Sequence, residues 1–184
     1  MQSKARLLGH PLHPMLVTLP IGAFVWSLLF DLIALIGGLP LMAVFSFWLI
    51  GAGVLGGLLA AVVGLVDLLA IPRGTRAARI ARWHGIGNLV VVLLFAASWG
   101  LRLVAAAPTP WALALSWGGV ALLMLTAWLG GELVTRLGVG VSDGAGLDAP
   151  SSLRPAAPEM PRPRGLNTET RVGESVAAPM QPRR

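Results

Sequence analysis

The sequence predicts an all-α integral membrane protein, in which a bundle of four transmembrane helices precedes a disordered tail. Hydrophobic residues make up 55% of the 184 residues and charged residues only 12%, a balance typical of chains whose main solvent is lipid. Four apolar stretches each reach the length of about 20 residues that a helix needs to cross a bilayer. Because the bilayer core offers backbone groups no water, stretches of this length must be helical.

The four predicted helices cover residues 14–37, 42–70, 83–105 and 111–135. Turn sequences separate them, namely "IGGLP" at 36–40, "IPRGTRAAR" at 71–79 and "AAAPTP" at 105–110. No segment alternates polar with apolar residues, so no strands are predicted. We therefore divide the chain into a transmembrane domain at 1–141 and a tail at 142–184. The tail is rich in Pro, Ala and Ser and nearly balanced in charge, which predicts disorder.

Basic residues are concentrated on one side of the predicted bundle. If every helix crosses, only Arg102 lies towards the other side, and all other Lys and Arg of the transmembrane domain share one side. This distribution predicts a multi-pass protein of the bacterial inner membrane, with both termini in the cytoplasm and the lipid bilayer as its surroundings. No feature indicates nucleic-acid binding. The absence of cysteine leaves imidazole and oxygen groups as the strong metal ligands.

Two of the helices carry matching stripes along one face. The first stripe is His13, Val17, Pro20, Phe24, Ser27 and Asp31, and the second is His84, Asn88, Val91, Phe95, Ser98 and Arg102. Both follow the alternating spacing of four and three residues that keeps side chains on one helical face, and they are 71 residues apart. A looser match at an offset of 65 pairs Gly53 with Gly118 and Asp67 with Glu132. Together the offsets predict two tandem helical hairpins related by a pseudo-two-fold axis along the membrane normal.

Each predicted helix brings one histidine or carboxylate to a similar depth near the cytoplasmic side: His13, Asp67, His84 and Glu132. Ionisable groups inside a membrane are expensive and are therefore functional candidates. In the first hypothesis, His13 and His84 are axial ligands of a b-type haem and Asn88 orients His84. The protein would then be an electron-transfer module with a separate redox partner protein.

Two alternatives stay open at this point. The residues His10, His13, Asp67, His84 and Glu132 could bind a non-haem divalent metal, or relay protons in transport or sensing. Otherwise the protein is a membrane scaffold without chemistry, with histidines at headgroup depth and plain salt bridges. In that case Glu132 pairs with Arg136 or with arginines of the 73–82 loop, and Asp31 pairs with Arg102. No catalytic residue is assigned, which favours these roles over an enzyme.

Three landmarks of the chain, "GHPLHPMLVTLPIGAFVWSLLFDL", "RWHGIGNLV" and "GGELVTRLGVGV", resemble an uncharacterised bacterial family of four-helix membrane proteins, domain of unknown function 2231. The resemblance covers residues 6–141 and implies an integral membrane protein with no established activity. It also implies a redox association, because some relatives look to be fused to Rieske-type iron–sulfur domains, which this cysteine-free chain lacks. The motif positions that carry over are His10, His13, His84, Asn88 and Glu132.

Overall fold

The chain forms four membrane-length helical segments, as the sequence predicts, in a computed structural model that describes residues 1–104 and 108–153. The α-helices are α1 (Leu12–Leu16), α2 (Thr18–Gly37), α3 (Pro40–Ala70), α4 (Arg76–Leu103) and α5 (Pro110–Gly131). A π-helical turn, Glu132–Arg136, continues α5. The first membrane segment combines α1 and α2 as Leu12–Gly37, and the fourth extends from Pro110 to Arg136.

Local signals explain where the helices begin. Pro40 and Pro110 occupy the first positions of α3 and α5, where the missing proline N–H has no intrahelical partner to lose. Thr109 caps α5 by accepting a hydrogen bond from the Ala112 amide. Thr75 caps α4 in the same way by accepting from the Ala78 amide at 3.1 Å. Because of this cap, α4 begins at Arg76, earlier than the predicted start at 83.

A short β-ribbon precedes α1 and was not predicted from the sequence. The strands β1 (Arg6–Leu7) and β2 (His10–Pro11) are antiparallel, with Leu7 opposite His10. The turn between them needs a left-handed backbone at Gly9, where φ is +86°. The Arg6 side chain also donates hydrogen bonds to the Gly9 carbonyl. The stretch "GHPL" therefore ends a small turn before it starts a helix.

In the bundle, α2 and α4 lie on one diagonal, and α3 and α5 each pack against both of them. Small residues allow these close approaches. A Cβ at Gly53 would lie 2.5 Å from a ring atom of Phe24, and a Cβ at Gly119 would lie 2.8 Å from a ring atom of Phe95. The two phenylalanine rings stack across the bundle axis at 3.8 Å. The diagonal helices α2 and α4 therefore contact each other through phenylalanine rings, and each ring packs against a glycine of α3 or α5.

Burial supports the tandem hairpins and corrects one offset. The inward face of α2 is Pro20, Phe24, Ser27 and Asp31, and the residues 71 positions later in α4 are also buried. The buried residues of α5 are Ala112, Ser116, Gly119, Leu123 and Thr126, and residues 66 positions earlier in α3 are all buried. The offset of α3 and α5 is therefore 66, and the predicted 65 was wrong. The offset of 65 was inferred from chance identities such as Gly53 with Gly118. The sequence alone does not distinguish a lipid-facing glycine from a packed one.

The predicted disordered tail begins at 142, and the structure describes its residues up to 153. This part contacts the N-terminal segment: Arg6 donates to the Ser142 hydroxyl, and the Gln2 amide donates to Asp143. The Met1 amino group also donates to the Gly138 carbonyl at 3.1 Å. Residues 154–184, to which the rest of that prediction applies, lie outside the described part of the chain.

Candidate cofactor site

Three pairs of facing side chains follow one another along the bundle axis. His13 faces His84, with ring centroids 6.3 Å apart and planes at 84°. Further along the axis is the Phe24–Phe95 stack. At the far end Asp31 and Arg102 form an ion pair at 2.7 Å. Since each pair joins equivalent positions of the two hairpins, the pseudo-two-fold axis passes between the partners.

His13 is held by a backbone group of α3. Its Nδ1 lies 2.9 Å from the Ala60 carbonyl oxygen. A carbonyl can only accept, so Nδ1 carries the hydrogen and Nε2 carries the lone pair. The ring lies against Gly64, where a Cβ would come within 2.7 Å of Cε1. Among the described residues, no hydrogen-bond partner of the His13 Nε2 is present.

His84 repeats this arrangement with two additions. Its Nδ1 lies 2.9 Å from the Thr126 carbonyl oxygen, and the ring lies against Gly130. The amide nitrogen of Asn88 lies over the face of the ring, 3.1 Å from Nε2 and 3.4 Å from Nδ1, and donates to the His84 backbone carbonyl at 3.0 Å. The Asn88 amide oxygen in turn accepts from the Thr126 hydroxyl at 2.9 Å. Polar side chains therefore surround His84, whereas the positions equivalent to Asn88 and Thr126 beside His13 are Val17 and Ala60.

The other predicted ligands lie away from this pair and have their own partners. The Asp67 carboxylate accepts hydrogen bonds from the Ser3 hydroxyl and the Lys4 amide, so it anchors the N-terminal segment. Glu132 pairs with Arg76 at 2.7 Å. Among the described residues, no group of three or more His, Asp or Glu side chains is close enough to hold a metal ion.

His10 is also separate from the pair. Its Nε2 lies 3.4 Å from the hydroxyl of Ser152, at the exposed end of the β-ribbon. The set proposed for a divalent metal therefore does not converge in the described structure. What it brings together is His13, His84 and Asn88.

The predicted pairing of Asp31 with Arg102 is confirmed, and sequence reasoning missed only the serines that α3 and α5 add to it. Both Arg102 terminal nitrogens bond one carboxylate oxygen each at 2.7 Å, and both side chains are almost fully buried. The guanidinium also contacts three serine hydroxyls, those of Ser46, Ser98 and Ser116. All four membrane segments therefore contribute to one neutral cluster. Ser46 and Ser116 gave no sequence signal beyond being hydroxyl residues in apolar helices.

The backbone acceptors and the glycines of the histidine pair were missed as well. Ala60 and Thr126 are 66 residues apart, and so are Gly64 and Gly130. With the offset at 66, the sequence would have shown a small residue paired with each histidine. The structure adds that these residues lie on the helix next to the histidine, within the same hairpin.

A family model described as "Predicted membrane protein (DUF2231)" matches residues 9–143 of the chain. The match includes both histidines of the pair, Asn88 and the Asp31–Arg102 cluster. A search of curated proteins gave no match. A search of solved structures gave none either.

Proposed function

Because the chain belongs to the DUF2231 family of predicted membrane proteins, a description that names no activity, we propose its function from the histidine pair. The proposal is a membrane electron-transfer protein that binds one b-type haem between His13 and His84. The observation that carries it is the separation of the two imidazole rings across the bundle axis, 6.3 Å between centroids.

His13 and His84 would hold the group from α1 and α4, since their rings face each other across the bundle axis. The Nδ1 hydrogen bonds fit this role too. A ligating histidine usually donates its other N–H to a carbonyl or carboxylate, which fixes the tautomer and raises the basicity of the ligating nitrogen.

Asn88 would support His84 in this role. Its amide nitrogen lies over the His84 ring and donates to the His84 backbone carbonyl, and its amide oxygen accepts from the Thr126 hydroxyl. Both Nδ1 atoms are engaged by carbonyls, so Nε2 is the nitrogen with which each histidine would hold the group.

The residues around the pair have distinct tasks in this proposal. The Ala60 and Thr126 carbonyls fix the two imidazoles, and the Phe24–Phe95 stack closes the bundle axis against water from the far side. A b-type haem supplies one-electron exchange when it is bound. The chain lacks cysteine, so an iron–sulfur partner would be a separate protein.

The orientation belongs to the same proposal. The N-terminal segment meets the end of α3 at one end of the bundle, through Lys4 and Asp67. The start of α4 meets the π-helical turn at the same end, through Arg76 and Glu132. Arg102 is the basic residue at the other end. By the positive-inside rule we place the protein in the bacterial inner membrane with both termini in the cytoplasm. The histidine pair then lies near the cytoplasmic side.

The apolar core of the bundle argues against proton or ion transport along its axis. The Phe24 and Phe95 rings are almost fully buried, and Ile50, Val54, Val91 and Leu123 surround them. This apolar plug separates the histidine pair from the Asp31–Arg102 cluster. A pathway along the bundle axis would require the stack to open.

The test is an absorbance spectrum of the full-length protein, purified in detergent from haem-replete cells. We expect a Soret band with the sharp α and β bands of a reduced bis-imidazole haem. His13→Ala and His84→Ala should each reduce haem content at least several-fold. His10→Ala is the matched control and should retain it, because His10 contacts Ser152 and lies away from the pair.

Two results would overturn the proposal. One is a folded protein that stays colourless after titration with haemin. The other is haem content that is unchanged in both His13→Ala and His84→Ala. Elemental analysis of the same samples tests the non-haem alternative, since a bound divalent metal lost with either histidine would replace haem as the ligand. Alanine variants that change stability alone would leave the scaffold role.

A further inference from the structure

The N-terminal half of α4 has an exposed face. Basic side chains lie at the start of this face, and apolar side chains follow them along the helix. Arg79 and Arg82 are exposed near the start of the helix. Trp83 follows with 63% exposure, and Ile86 and Leu89 continue the surface with more than half of each side chain exposed. Along the helix axis the two arginines lie about 6–10 Å before Ile86, at a rise of about 1.5 Å per residue. This distance matches the step from the headgroup region of a bilayer to its hydrocarbon.

The positive charge of this face has no counterpart in the described part of the protein. The ion pairs there are Arg76 with Glu132 and Arg102 with Asp31, so neither involves Arg79 or Arg82. The first turn of α4 contains no acidic residue. Arg79 lies in the first turn of α4, near the positive end of the helix dipole, where an anion is favoured. An anion that pairs with the two arginines would come from outside the described residues.

This face is specific to the second hairpin. The positions 71 residues before Arg79 and Arg82 are Leu8 and Pro11, which belong to the turn and second strand of the β-ribbon. At equivalent positions, the first hairpin has the β-ribbon and the second has two additional turns of α4. The first hairpin therefore has no counterpart of this basic face.

We propose that this face binds an anionic phospholipid. The phosphate lies between Arg79 and Arg82, the Trp83 indole lies at the glycerol level, and an acyl chain packs along Ile86 and Leu89. Guanidinium groups hold phosphate oxygens through paired hydrogen bonds, and exposed tryptophan is enriched at the depth of the lipid headgroups. The site takes its lipid from the leaflet on the side of the chain termini. It does not depend on haem binding.

Native mass spectrometry of the full-length protein tests this proposal. The protein is released from micelles that contain equal amounts of phosphatidylglycerol and phosphatidylcholine with the same acyl chains. We expect preferential retention of one phosphatidylglycerol per chain. Arg79→Gln/Arg82→Gln should reduce that retention several-fold. The control Arg73→Gln/Arg136→Gln removes the same charge from exposed positions at the same end of the bundle and should retain it.

Three outcomes would overturn the proposal. Equal retention of the two lipids by the wild type would show that the face does not select charge. An equal loss in both double variants would assign the effect to net charge and not to this face of α4. Displacement of the lipid by millimolar inorganic phosphate would show that the acyl contacts with Ile86 and Leu89 contribute nothing.

Discussion

Alanine substitution at two adjacent glycines of α5 tests how closely α5 packs against α4 within the second hairpin. At Gly119 a Cβ would lie 2.8 and 3.0 Å from two ring atoms of Phe95. The ring cannot move away, because Phe95 is fully buried and stacks on Phe24 at 3.8 Å. At Gly118 an added Cβ meets nothing within 4 Å. The two positions differ in their surroundings while sharing one helix and one change in side chain.

The expected magnitudes follow from this difference. Alanine gains about 1 kcal/mol over glycine in a helix interior, and this gain applies to both variants. Overpacking costs about 1–3 kcal/mol, and it applies to Gly119→Ala alone. Gly118→Ala should therefore equal or exceed the wild type in stability. Gly119→Ala should be less stable than Gly118→Ala by about 1–3 kcal/mol, since the helix-propensity gain cancels between them.

Reversible unfolding of the full-length protein in mixed detergent micelles, followed by far-UV circular dichroism, measures the difference directly. The comparison also tests the offset between the hairpins, since an offset of 65 would make Gly118 the equivalent of Gly53 and an offset of 66 makes it Gly119. Gly118→Ala as the more damaging of the two would refute the reasoning. Equal stability of the two variants would refute the close approach to Phe95.

Three further changes test the polar contacts. Asp31→Asn leaves the Arg102 guanidinium buried without a counter-charge, so we expect the free energy of unfolding to fall by about 3–5 kcal/mol. The double variant Asp31→Asn/Arg102→Gln should recover part of this loss. An Asp31→Asn variant as stable as the wild type would contradict the buried pair. Asp67→Asn weakens the hydrogen bonds that hold the N-terminal segment, so trypsin should cleave faster after Lys4. The helical circular dichroism should be unchanged. An unchanged cleavage rate would argue that Asp67 does not anchor the segment. Asn88→Val removes the amide that lies over the His84 ring and bonds the Thr126 hydroxyl, so haem titration should show several-fold weaker binding, and unchanged binding would argue against a supporting role for Asn88.

The sequence predicted the candidate site unevenly. His13 and His84 were found because helical spacing and equal depth both follow from the position of apolar residues along the chain. Asp67 was a candidate metal ligand or proton relay, and in the structure it accepts from a hydroxyl and backbone amides of the N-terminal segment. Glu132 does pair with a loop arginine, Arg76, as one of the two predicted options had it. The spacing of residues along a helix predicts which helical face a side chain lies on. It does not predict which residue of a neighbouring helix that side chain contacts.

What the sequence by itself determined is the class of the protein: four apolar segments longer than a bilayer is thick must be helices that cross it, and their polar stripes must face inward. Hydrocarbon offers backbone and charged groups no alternative. What only the tertiary structure decided is which polar groups meet. The 6.3 Å between His13 and His84, and the serines around Arg102, depend on the rotation and offset of whole helices. The rotation and offset of the helices depend on close packing against glycines such as Gly53 and Gly119, where an added Cβ would overlap a phenylalanine ring. A change of one residue in the offset, from 65 to 66, exchanges a lipid-facing glycine for a packed one.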